Sequence, residues 1–107
     1  MKSPADLSPA LVQTLKADVG VDVGTAQIRP VRGGCIHRAD VLEVAERRHF
    51  LKRNRAEALP VFEAEADGLA ALSVSEVFRV PRVLAWGVAG DEAYLLLEHL
   101  RLQPLAG

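Results

Sequence analysis

The sequence predicts an α+β fold, a five-stranded antiparallel sheet with one helix packed on it and a further helix at the N-terminus. Three observations point there. Short runs rich in β-branched, aromatic and leucine residues recur along the chain, a helical apolar stripe interrupts them, and a capped helix precedes them all. The order helix, three strands, helix, two strands suits an antiparallel sheet covered by an inserted helix. With 107 residues, half of them hydrophobic and a quarter charged, the chain can bury one core, so residues 1–107 are expected to form a single domain.

Each element has a local cause. Ser8-Pro9 gives an N-cap followed by proline at the first helical position, and Leu11, Val12 and Leu15 continue at helical spacing to Gly20, a helix of about three turns. Gln27 to Val31 reads as an edge strand, because Pro30 has no N–H to give to a ladder. Gly33-Gly34 then breaks it. Ile36 to Val44, a turn at Ala45-Glu46-Arg47 and Arg48 to Asn54 read as a hairpin, its second strand carrying His49-Phe50-Leu51 and closed by Lys52. Arg53 to Leu59 is polar or small, and Pro60 opens a helix running to about Leu72. A loop through Ser75 leads to two more strands, Arg82 to Trp86 and Ala93 to Glu98, joined by a turn from Gly87 to Asp91. Trp86 and Phe78 are expected in the core or in packing between elements.

Composition narrows the function classes. A formal net charge of −1 gives no electrostatic case for nucleic acid or an anionic membrane. No apolar run approaches the roughly 20 residues that span a bilayer, and Met1-Lys2-Ser3-Pro4 leads into no signal-peptide core, so a cytoplasmic location is expected. The single cysteine, Cys35, excludes an internal disulfide framework and fits a reducing compartment, while leaving one thiol for pairing between chains. His37, His49 and His99 lack the spacing of a metal site.

One pair of charges carries chemistry. At about 100° per residue, Phe62, Glu65, Ala66, Leu69 and Leu72 share a sector roughly 120° wide, and Glu63 and Asp67 fall outside it. Glu65 thus faces the sheet, where a carboxylate is costly to desolvate without a cation. Residues alternate faces along a strand, so Lys52 shares the face of Phe50 and can meet it. A lysine at a strand end, steadied by a helix carboxylate, is the phosphate-holding pair of a kinase N-terminal lobe. The competing reading has Glu65 reaching solvent and Lys52 as an ordinary surface lysine. Gly33-Gly34-Cys35 sits where a loop over phosphates would lie, its glycines allowing close backbone approach, and it equally fits a plain hairpin turn. Tyr94 to Leu100 fits either a hinge whose backbone pairs with adenine or a core strand with a polar exit.

Five blocks in register then resemble one family. Gly33-Gly34-Cys35-Ile36, Phe50-Leu51-Lys52-Arg53-Asn54, Phe62-Glu63-Ala64-Glu65-Ala66-Asp67-Gly68-Leu69, Arg79-Val80-Pro81-Arg82-Val83 and Leu97-Glu98-His99-Leu100 are similar to the fructosamine kinases, or ketosamine-3-kinases. The resemblance runs from about Val31 to the end. It implies a protein-kinase-like N-terminal lobe, related to aminoglycoside phosphotransferases, whose packed helix corresponds to helix αC. It also implies use of ATP and magnesium to phosphorylate the sugar 3-hydroxyl of ketosamines on small molecules or proteins, a deglycation.

Carried over by position, the resemblance makes Lys52 the phosphate-binding lysine and Glu65 its partner. Gly33, Gly34 and Cys35 form the loop over the phosphates, Glu98 and Leu100 offer backbone groups to adenine, and Leu97 stands beside the adenine pocket. Cys35 becomes a candidate redox switch joining dimers, provided two copies bring the thiols within disulfide range. The family's His-Gly-Asp catalytic segment, later metal-binding aspartate and substrate surface have no counterpart before Gly107. No catalytic or metal-binding residue is therefore assigned in this chain, which alone is expected to be inactive. Leu100, Leu102 and Leu105, uncovered without a second lobe, favour a homodimer through the lobe interface or strand exchange. An aminoglycoside or choline kinase-like lobe, a non-catalytic nucleotide-binding module and a protein-interaction domain are the other classes.

Overall fold

The computed structural model describes residues 7–31, 38–44, 46–74 and 81–98. Ser8 caps the first helix, α1 (Pro9–Thr14), accepting a hydrogen bond from the Leu11 N–H at 3.2 Å. The chain continues through a wider π-type turn, Leu15–Val19, and stops at Gly20, whose φ of 80° is the left-handed conformation that ends helices. The expected helix is present, its last turn wider than α. A short 3₁₀ turn, Val23–Thr25, leads to the sheet.

The five strands are β1 (Gln27–Pro30), β2 (Arg38–Val44), β3 (Arg47–Arg55), β4 (Arg82–Ala89) and β5 (Glu92–Glu98). They lie in the order β1-β2-β3-β5-β4, every neighbouring pair antiparallel. Pro30 does stand on an edge strand. Between β3 and β4 the chain makes a 3₁₀ turn, Ala56–Ala58, and then helix α2 (Leu59–Ser73), with Pro60 at its second position, where its missing N–H costs no helical bond. Among the described residues no helix is long and apolar enough to cross a membrane.

Both faces of the sheet are covered. On one, Leu11, Leu15, Val21 and Val23 pack against Leu42, Leu51, Ala89, Tyr94 and Leu96. On the other, Phe62 and Ala66 of α2 pack against Ala93, Leu95 and Leu97, with Phe50, Leu59, Leu69 and Val83 at the margin. A strand buried on both faces has no reason to alternate, which explains the unbroken Leu95-Leu96-Leu97.

Several boundaries differ from expectation. β3 does not close at Lys52 but runs to Arg55, because β5 continues alongside it, Arg53 opposite Tyr94 and Arg55 opposite Glu92. α2 begins one residue earlier, at Leu59. β4 extends through Gly87 to Ala89, leaving only Gly90 and Asp91 for the turn. Leu72 is 44% exposed rather than part of the buried stripe, and Trp86 is 42% exposed rather than packed between elements. Phe78, Ser75, His37 and His99 lie outside the described residues.

Candidate nucleotide-binding site

Lys52 sits in the middle of β3, opposite Ala39 of β2 on one side and Leu95 of β5 on the other. Its neighbours of like parity, Phe50 on its own strand and Leu95 opposite, belong to the α2-side core, so its side chain rises toward α2. Phe62 and Ala66 anchor the helix on that face, and Glu65, on the flank of the buried stripe, is brought over β3. The Lys52 Nζ donates to Glu65 Oε2 at 2.5 Å, with 18% and 29% of the two side chains exposed. The structure thus joins the two charges that the face argument paired, at the border of the core rather than inside it. One ammonium N–H is used by Glu65, leaving two donors on a positioned cation, which suits a phosphate.

Three residues along β5 from the Lys52 partner, roughly 10 Å away at strand rise, Glu98 ends the strand opposite His49 and Arg82. Leu97 is 3% exposed, packed with Phe50 and Val83 under α2, so it supports the site from within the core. Gly33, Gly34, Cys35 and Leu100 lie outside the described residues.

Sequence reasoning passed over a second charge cluster on the opposite face. Arg53 is 2% exposed; one of its terminal nitrogens donates to Asp40 Oδ2 at 3.1 Å and the other to Glu92 Oε2 at 3.4 Å. The signal was available, since Arg53 has the parity of buried Leu51 and a buried guanidinium requires carboxylates. His49 shares that face and is 7% exposed, its Nδ1 without a hydrogen bond among the described residues. Burial holds its pKa below the ordinary histidine value, Arg47 adding to the effect while Glu98 and a hydrogen bond with the Leu42 backbone oppose it.

The sequence model of the family described as fructosamine kinase matches residues 7–106. A "Probable ketoamine kinase" of Synechocystis sp. is 36% identical over 97 residues, covering 87% of this chain and 33% of the relative. One of the same name from Vibrio cholerae is 32% identical over 97 residues, covering 91% of this chain and 34% of its own length. Among solved structures, the "Putative fructosamine-3-kinase" of Haemophilus somnus 129PT superposes with a TM-score of 0.73 at 25% identity, covering 89% of this chain and 32% of that one. The chain spans about a third of the length of these relatives. Its sheet and two helices have the kinase-like architecture, and the chain belongs to the fructosamine kinase family.

Proposed function

We propose that this chain is the nucleotide-binding N-terminal lobe of an ATP-dependent ketosamine kinase, one that phosphorylates the sugar 3-hydroxyl of glycated amines. The observation that carries the reading is the Lys52–Glu65 pair at 2.5 Å, held between β3 and α2 in a chain of this family. Glu65 fixes the direction of the ammonium, and Lys52 turns its remaining N–H donors toward the α- and β-phosphates. The donor set fits a polyphosphate, and the end of β5 at Glu98 offers backbone groups for the adenine edge, joined by Leu100 and backed by Leu97. Gly33, Gly34 and Cys35 belong to the loop that would cover the phosphates. ATP, with magnesium, supplies the phosphoryl group and the metal charge. The base, the metal ligands and the surface for the ketosamine are assigned to a second lobe outside residues 1–107, so this chain alone binds nucleotide without turning it over.

Calorimetric titration of the chain with magnesium ATP tests this directly. Binding that Lys52→Met weakens by about tenfold or more, with the fold intact by circular dichroism, supports the reading. Affinity indifferent to Lys52→Met, or none at all, removes it and leaves an interaction module. For the reaction itself, ketosamine-dependent ATP consumption by the full-length gene product, lost in the same variant, is the expected result.

A further inference from the structure

The two edges of the sheet are guarded unequally. An unpaired strand edge is a template for another strand, and folded proteins blunt it with shortness, charge, proline or a bulge. β1 has four residues, ends in Pro30 and carries Arg29, which pairs with Glu43 at 3.5 Å. β4, at the other edge, is eight residues long. Among the described residues its protection is confined to one end, where Arg82 and an irregularity between Val83 and Ala85 lie. From Ala85 to Ala89 the edge holds neither charge nor proline. Within that stretch Trp86 and Val88 are 42% and 43% exposed. They stand opposite Leu95 and Ala93 of the α2-side core, and so project on the same face.

We propose that β4 is a homodimer interface, pairing antiparallel with β4 of a second copy about a two-fold axis through Gly87. In that register Trp86 of each copy lies opposite Val88 of the other, on one face, twice. Aromatic with β-branched is a favourable cross-strand pair, and both side chains are half-exposed in the single copy. Gly87 brings no side chain to the axis. The occupant is a second copy because the exposed pair is its own complement in this register and, among the described residues, the edge beside it lacks the charge and proline that keep copies apart. Nothing in this assignment depends on nucleotide binding, so either proposal can fail alone.

Sedimentation equilibrium of the chain, in a Cys35→Ser background, is the test. A monomer–dimer equilibrium is expected. Trp86→Lys and Val88→Lys should each raise the dissociation constant by at least about tenfold, since each charge enters the interface twice. The folds stay unchanged by circular dichroism, and Arg29→Ala on β1 has no effect. The register has its own readout. Directly opposed residues have Cα atoms about 4.5–5.5 Å apart and diagonal ones about 7–8 Å, and a disulfide closes only below about 7 Å. Mixing Trp86→Cys with Val88→Cys chains should therefore give a disulfide-linked dimer that neither forms alone. A monomer at every concentration, a dimer indifferent to both lysines, or a disulfide in either single variant by itself overturns the proposal.

Discussion

Arg53 and Lys52 are adjacent in sequence, yet the fold treats them differently. Arg53 is 2% exposed and bound to two carboxylates, so truncating it strands Asp40, 11% exposed, and Glu92, 23% exposed. Arg53→Met is expected to cost about 3–5 kcal/mol in urea denaturation. The Lys52–Glu65 pair is partly solvated, and Lys52→Met should change stability by less than about 1 kcal/mol, which is what makes it a clean probe of binding. His49 sets a pH dependence. Its folded pKa is depressed mainly by burial, so the unfolded chain, near the ordinary value of 6.5, binds the proton more tightly. The stability contributed by neutral His49 is therefore full above that value and is lost as pH falls below it toward the folded pKa. Denaturation midpoints measured from pH 8 down to about 5 should fall, and His49→Leu should remove that part of the slope whatever it does to absolute stability.

At the scale of elements, α2 positions the site and also contains an avoidable weakness. Gly68 lies inside the helix with open space where a Cβ would go. Gly68→Ala is expected to stabilise the chain by about 1 kcal/mol, read as a higher melting temperature. The helix was legible because Phe62, Ala66 and Leu69 recur at helical period, and the same wheel placed Glu65 over β3. α1 was legible from the Ser8-Pro9 cap and Gly20, and β1 from Pro30. The extent of β3 was not, because a strand ends where its neighbours end, and the polarity of Arg53 to Arg55 hides ladder partners supplied by β5. Leu72 and Trp86 misled for a related reason. Both are apolar, but one lies near the end of α2 and the other on an edge strand, places that periodicity cannot distinguish from the middle of a layer. The Arg53 cluster was missed because its three members are distant in sequence and only the register of β2, β3 and β5 unites them.

Across the whole molecule, two apolar layers share one sheet, with β3, β4 and β5 contributing to both. Neither layer can melt without exposing the other's floor. Leu11→Ala, on the α1 side, and Phe62→Ala, on the α2 side, are each expected to cost about 2–5 kcal/mol. Both should shift a single transition, with near- and far-ultraviolet circular dichroism coinciding in each variant. Two separate midpoints would show the layers to be independent. The alternation of charge along β3 has a further consequence for how the chain finds this arrangement. Lys52 answers Glu65 above the sheet, and Arg53 answers Asp40 and Glu92 below it. Sliding β3 by one residue would turn both cations over, setting Lys52 among the α1-side leucines and Arg53 under α2. Such a hairpin would strand charges on each side at once, so a misaligned strand cannot be sealed in. The two cations work like the teeth of a gear, letting the layers close only when the strand is seated in its proper notch.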